Sequence, residues 1–296
     1  MNKQPPNLRL SVLPRLDEDV AASRDPDGVP QDEVLAREKG ATHRQLPMTA
    51  VPFPPSSRRI DLPAMLKGGL ATAGKARSRI AEEFRVTVVR ALHYLREGRA
   101  PEALPNVILV TSAIPGEGKT FTAFNLAASI AGNWLGDVLL VDTDTKLGSL
   151  SSLLDVGTAA GLLNYAADDN LSLGDLVFQT GVAGLHFLPI GASNATAEDG
   201  SVVRPIGTAI ERISRELPGH IIVLDCAPCL SSSDAVAFAP LAAEVIMVIE
   251  AGRTQRSEID ISLELIRSCR NISLVLNKVR FTTTATFGAY YHGSES

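Results

Sequence analysis

The sequence predicts an α/β protein in which a mostly parallel sheet lies between two layers of helices. Three observations lead there. From residue 106 onward, short apolar runs alternate with segments of helical period. The first apolar run, 106–112, passes through a Gly-rich turn straight into a helical segment, 119–132. The apolar content, 45% of 296 residues, supports a sizeable core.

Taken in order, the chain opens on a segment of different character. Residues 1–60 hold nine of the 18 prolines and short mixed-charge patches, with no sustained helical or strand period, and are expected to be disordered. Residues 61–75, with Gly68, Gly69 and Gly74, read as a linker, so 1–75 form a Pro-rich tail. Over residues 76–98, Ile80, Phe84, Val88, Leu92 and Leu95 recur every three or four positions and define one apolar stripe on a helix. Arg77, Arg79, Arg85, Arg90 and Arg96 flank it, and Gly98 can end it. Such a face fits either the core of its own domain or a neighbouring subunit. Residues 104–281 are expected to form one domain. Its strands are predicted at 106–112, 137–142, 184–189, 220–225, 244–250 and 272–277, and its helices at 119–132, 202–217, 233–240 and 256–269. Residues 282–296 read as a flexible tail carrying Tyr290 and Tyr291.

Charge and composition exclude several classes. The net charge of −5 and the absence of aromatics interleaved with a basic patch argue against nucleic acid as a partner. The charge is uneven, at +4 over residues 1–105 and −9 over 106–296. A basic front suits an anionic membrane surface or an acidic partner, and equally a solvated tail. Three cysteines make no disulfide framework and fit a reducing cytoplasm. No secretory signal opens the chain and no run of 18 apolar residues exists, so any membrane role is expected to work through a partner or a surface contact. Cys226 and Cys229 have CxxC spacing, but zinc would need two further ligands. His93, His186 and His220 read as packed or surface residues.

The turn at 113–120, AIPGEGKT, lies between a strand and a helix, the context of a phosphate-binding loop. Its backbone N–H groups can cradle phosphates at the helix N-terminus. Pro115, Gly116, Glu117, Gly118, Lys119, Thr120 and Phe121 are the candidate nucleotide-binding residues. Lys119 would reach the β- and γ-phosphates and Thr120 would hold Mg²⁺. Ala113 stands where the GxxxxGK[ST] pattern has Gly. The next strand delivers Asp142 and Asp144, which would share a face while the strand lasts. Two carboxylates beside a phosphate site can hold Mg²⁺ and accept a proton from a hydroxyl, although Asp at a strand end also caps turns. A third apolar run, 221–224, ends in Asp225, with Pro228 three residues on, as in a Walker B strand whose Asp contacts Mg²⁺. Asn277 ends the last strand, where it could read an adenine edge or simply close the strand.

The order AIPGEGKT, LLVDTDTK, IIVLDCAP resembles the bacterial tyrosine kinases of exopolysaccharide and capsule synthesis. It spans residues 76–291 and includes Gly161-Leu162, LHFLPIG at 185–191 and Ser233-Asp234-Ala235. The resemblance implies a three-layer P-loop NTPase fold of the MinD and ParA superfamily, with ATP and Mg²⁺ as cofactors. It also implies autophosphorylation on C-terminal tyrosines, here Tyr290 and Tyr291. Lys119, Asp142, Asp144 and Asp225 would be catalytic, with Asp142 activating the tyrosine hydroxyl and Thr120, Asp142 and Asp225 at the metal. The implied partners are other copies of the chain and a membrane chain-length regulator of polysaccharide export that activates it. The protein would then be peripheral to the inner face of the plasma membrane. Departures are visible. Lys146 replaces the Arg of DxDxR, and Glu82 and Arg85 match the family's ExxRxxR helix while Val88 replaces its second Arg. Ile114 stands where MinD- and ParA-type ATPases place a signature Lys, which disfavours the alternative of a regulatory ATPase. A degenerate nucleotide-binding scaffold is a third reading.

Overall fold

The computed structural model describes residues 7–14, 58–60, 87–88, 95, 103–133, 137–145, 149–191 and 203–279. The expectations for Lys146, for Glu82, Phe84, Arg85 and Leu92 of the amphipathic segment 76–98, and for Tyr290 and Tyr291 lie outside these residues. Nine strands among the described residues form one sheet: β1 (Asn7–Pro14), β2 (Arg59–Ile60), β3 (Leu104–Ser112), β4 (Val138–Asp142), β5 (Phe178–Thr180), β6 (Leu185–Leu188), β7 (Ile221–Asp225), β8 (Ala242–Glu250) and β9 (Asn271–Val279). Their spatial order is β1-β9-β8-β3-β7-β4-β6-β5-β2. Every pairing is parallel except β5 with β6.

Alternation along the central strands builds the two helical layers. Val107 and Leu109 of β3, Leu139 and Val141 of β4 and Ile222 and Leu224 of β7 face one core. That core is completed by Ile206, Ile210 and Ile213 of α5 (Val203–Glu216), Phe238 of α6 (Asp234–Phe238) and Ile266 of α7 (Arg256–Ile266). Ile108, Val110, Val138, Leu140, Ile221 and Val223 face the other way, against Phe124, Leu126 and Ile130 of α1 (Lys119–Asn133). Strands buried on both faces read as unbroken apolar runs, which is why they were legible. Three short helices between β4 and β5, α2 (Leu150–Leu153), α3 (Leu162–Ala167) and α4 (Leu173–Leu176), were not predicted. Four to six residues are too few to show a helical period.

The expectation of disorder over residues 1–60 is corrected at two places. Asn7–Pro14 is a strand paired in register with β9, Asn7 opposite Asn271 through Val12 opposite Leu276, and Arg59–Ile60 pairs with β5. Leu8, Leu10 and Val12 recur every second residue, a strand period hidden by the surrounding prolines. Since β1 covers the outer edge of β9, it supplies backbone partners that an edge strand otherwise lacks.

At Val88 and Leu95 the apolar stripe of 76–98 enters the chain's own core. They are 3% and 1% exposed and pack in the layer of Phe124 and Ile130. Leu95→Ala should therefore lower stability by about 2–5 kcal/mol. Thermal melts of the isolated chain read this directly. An unchanged Tm with an altered oligomeric state would assign Leu95 to a subunit contact instead.

Candidate nucleotide-binding site

Parallel pairing brings the carboxyl ends of β3, β4, β7, β8 and β9 to one edge of the sheet, where ligands of open α/β sheets bind. Register sets the neighbours: Asp142 lies opposite Asp225, and Glu250 opposite Asn277. The loop from β3 to α1 closes over this edge. Gly116 and Gly118 have φ of +88° and +96°, the left-handed region that L side chains avoid. At Gly118 a Cβ would also lie 2.2 Å from Asn277 Nδ2 and would displace that amide from the loop. Ala113 is buried with no positive φ, so the loop closes without the glycine of the usual pattern.

The loop's carbonyls are drawn outward. Cys229 N–H donates to Ser112 O at 2.8 Å and Leu230 N–H to Ala113 O at 3.1 Å. The Ser112 hydroxyl donates to Ile114 O at 3.0 Å. Lys278 Nζ donates to Gly116 O at 2.6 Å and Asn277 Nδ2 to Glu117 O at 2.8 Å. The N–H groups of Gly116, Glu117 and Gly118 donate to no acceptor among the described residues. Outward carbonyls and open amides at the start of a helix make an anion-binding nest.

The Glu117 side chain points away from that nest and is fully buried. Its carboxylate accepts from Ile114 N–H at 2.7 Å, from Glu250 N–H at 3.2 Å and from the Thr254 hydroxyl. It braces the loop against the end of β8. Pro115 and Gly116 are exposed at the loop tip, and Phe121 packs partly against the α1 core.

Lys119 and the carboxylates meet beneath the loop. Lys119 Nζ lies 2.9 Å from Asp144 Oδ2, 3.4 Å from Asp225 Oδ1 and 3.2 Å from the Thr120 hydroxyl. Burial lowers the Lys119 pKa, but the charges of Asp225 and Asp144 outweigh it and the ammonium is held above its ordinary value. Asp225 is fully buried, and burial pushes its carboxyl up to about 6 against the opposing pull of Lys119. Its Oδ2 has no hydrogen-bond partner among the described residues. An orphaned carboxylate oxygen beside the Thr120 hydroxyl is a donor set suited to a hard divalent cation.

The two aspartates of the DxD take different partners. β4 ends at Asp142, so face alternation no longer governs Asp144, and it is Asp144 that reaches Lys119. Asp142, fully buried, accepts from Ser151 N–H at 2.7 Å, from the Ser151 hydroxyl at 2.5 Å and from Asp144 N–H at 3.1 Å. Burial raises its pKa, and the Ser151 hydrogen bonds oppose that. The Thr143 hydroxyl donates to Asp225 O at 2.9 Å and ties the ends of β4 and β7 together.

Asn277 sits under the loop and supports it, its Nδ2 donating to Glu117 O at 2.8 Å and its Oδ1 accepting Lys278 N–H at 2.8 Å. Ser151, Glu250, Thr254 and Lys278 were missed as site residues. The Asn-Lys pair closing β9 was the sequence signal for Lys278, whereas polar residues in ordinary loops gave none for the others.

Several other candidates fall away. Cys226 and Cys229 are buried free thiols raised by burial, Cys229 to about 11, opposite to what a reactive thiolate needs. No group of three His, Cys, Asp or Glu side chains suited to a metal occurs among the described residues. His186 and His220 lie near Asp137 at the amino ends of their strands, the edge of the sheet away from the loop. Tyr165 is fully buried, with its hydroxyl on Glu216 at 2.6 Å and the Arg212 guanidinium over its ring.

A nest of open amides, a helix N-terminus, a half-buried lysine and two acidic strand ends on a parallel sheet define a P-loop nucleotide-binding protein. No family model matches the chain. It is 30% identical over 194 residues to the tyrosine-protein kinase CpsD of Streptococcus agalactiae, covering 62% of this chain and 80% of that one. It is 28% identical over 155 residues to the succinoglycan biosynthesis transport protein ExoP of Rhizobium meliloti, covering 50% of this chain but only 19% of that protein. The kinase domain of the Escherichia coli tyrosine kinase ETK superposes with a TM-score of 0.61 at 23% identity, over 78% of this chain and 86% of that domain, a likeness of fold. The chain belongs to the bacterial tyrosine-protein kinase family. Among the described residues no helix is long and apolar enough to cross a membrane.

Proposed function

We propose that the protein is an ATP-dependent protein-tyrosine autokinase that regulates the synthesis or export of a polysaccharide. The observation that carries this reading is Lys119, held between Asp144 and Asp225 directly below a loop whose amides are open. Phosphoryl transfer depends mainly on positioning and on neutralising charge, which this arrangement supplies. The amides of Gly116, Glu117 and Gly118 bind phosphate oxygens, and Lys119 leaves its carboxylates to meet the β- and γ-phosphates. Thr120, Asp225 and Asp142 would hold Mg²⁺, which when bound neutralises phosphate charge. Asp142, raised by burial and oriented by Ser151, takes the proton of the incoming tyrosine hydroxyl, with Asp144 assisting.

The acceptors are Tyr290 and Tyr291. Of the chain's four tyrosines, Tyr165 is locked in the core and Tyr94 falls in the amphipathic segment read from the sequence at 76–98. Tyr290 follows the last residue of β9 by 11 positions, and at about 3.3–3.6 Å per residue such a segment spans tens of Å. That reach suits transfer into a neighbouring copy. A membrane chain-length regulator of polysaccharide export would supply activation and hold the protein at the inner membrane face, since the described helices include no span. The name of ExoP supports the link to polysaccharide export.

Incubating the chain with labelled ATP, with and without the cytoplasmic segment of such a regulator, tests this. Label is expected on Tyr290 or Tyr291, and on the tail of a Lys119→Met copy mixed with a tail-truncated active copy. Label on serine or threonine alone, or ATP hydrolysis without label, would favour a ParA- or MinD-like regulatory ATPase.

A further inference from the structure

We propose that Lys278 is a positioning residue for the phosphate loop, holding it from the end of β9 in the shape that binds nucleotide. The inference rests on the reading of residues 113–120 as a nucleotide site. Lys278 has a φ of +57°, one of two non-glycine residues in the left-handed region among those described. A lysine there is an outlier that its surroundings must hold in place. They do so through the side chain. Nζ lies 2.6 Å from Gly116 O and 2.9 Å from Glu250 Oε2. Glu250 is itself fixed, its N–H on the Glu117 carboxylate and the Thr254 hydroxyl, and its Oε2 also on Arg253 Nη1 at 2.9 Å.

Peptide geometry explains why this matters for ligand binding. In a planar trans peptide the C=O of one residue and the N–H of the next point in opposite directions. Pinning Gly116 O outward therefore aims the Glu117 N–H into the nest. Asn277, the neighbouring residue, pins Glu117 O and aims the Gly118 N–H the same way. The carbonyls of Ser112, Ala113, Ile114 and Gly118 find partners in the loop, α1 or the β7–α6 turn. Those of Gly116 and Glu117 are served only by two consecutive side chains at the end of β9. A cation on a carbonyl is a charge-assisted bond and stronger than a neutral one. Glu250 keeps the ammonium on the loop's outer side, away from the anion.

The test uses the full chain, a fluorescent ATP analogue with Mg²⁺, and thermal melts. Lys278→Met should weaken analogue binding about tenfold, the scale of one lost hydrogen bond to a charged group. Lys278→Arg should restore most of it. Lys278→Gly accommodates the backbone, so its Tm should be at or above that of the parent while its binding is weakened as in the Met variant. Glu250→Gln, which releases the ammonium, should weaken binding in the same direction. Parental binding by Lys278→Met overturns the positioning role, and so does parental binding by Lys278→Gly. Tighter binding by Glu250→Gln would mean that Lys278 contacts nucleotide directly, which also overturns it. If the parent chain binds no analogue, the nucleotide-site reading itself fails, a result distinct from all the others.

Discussion

Lys119→Met should give a folded protein that no longer transfers phosphate. Lys119 is the cation that lies between two carboxylates beneath the loop, 2.9 Å from Asp144 and 3.4 Å from Asp225. A methionine keeps most of the stem's volume and packing but offers no charge to the phosphates, where a lost stabilising group costs about 10²–10³-fold in rate or more. The variant also carries a pH signature. Asp225 is pushed up to about 6 by burial even with Lys119 opposing it, so removing the lysine raises it further. A carboxyl whose folded pKa exceeds its unfolded value stabilises the fold most at low pH, and that contribution is lost as pH rises through the folded value. The Tm of Lys119→Met relative to the parent should therefore fall as pH rises through and beyond about 6. Unchanged phosphoryl transfer in a folded variant would refute the loop's assignment, and a Tm difference that is flat with pH would show that Asp225 does not depend on Lys119.

Asp142→Asn should reduce phosphoryl transfer about 10²–10⁴-fold, the usual contribution of a general base. Nucleotide binding should change by less than about tenfold, because Asp144 and Asp225 still flank Lys119. An amide matches the carboxylate in shape and not in hydrogen bonding. Asp142 accepts from the Ser151 N–H, the Ser151 hydroxyl and the Asp144 N–H, so the new NH₂ faces donors. Setting a donor against a buried donor costs about 1–3 kcal/mol, and a lower Tm is expected as well. Single-turnover transfer and equilibrium binding, measured side by side, separate the two effects. Equal losses in both would reduce Asp142 to a metal-holding or structural residue.

Much of the molecule was legible before its structure. Val107 to Val110, Val138 to Val141 and Ile221 to Leu224 are unbroken apolar runs because both faces of a parallel strand are buried, and each ends in the loop or in an aspartate that belongs to the site. Gly116 and Gly118 were readable for a different reason: left-handed backbone and close approach restrict the residue types that serve, and the GKT spacing after them makes Lys119 and Thr120 the candidates for phosphate and metal. Such information is local, held within a few consecutive positions.

What tertiary structure alone decided is non-local. The strand Asn7–Pro14 forms because β9, more than 250 positions away, presents an open edge to it. Val88 and Leu95 enter their own core, a choice that an amphipathic pattern leaves open because it marks an apolar face without saying what covers it. Asp142 and Asp144 share a motif but not a partner, since one lies within the strand and the other beyond it, where the chain turns toward Lys119. Glu250, Asn277 and Lys278 come to the phosphate loop only because β3, β8 and β9 are neighbours in the sheet, and strand order is set by the packing of the whole core and not by any one segment.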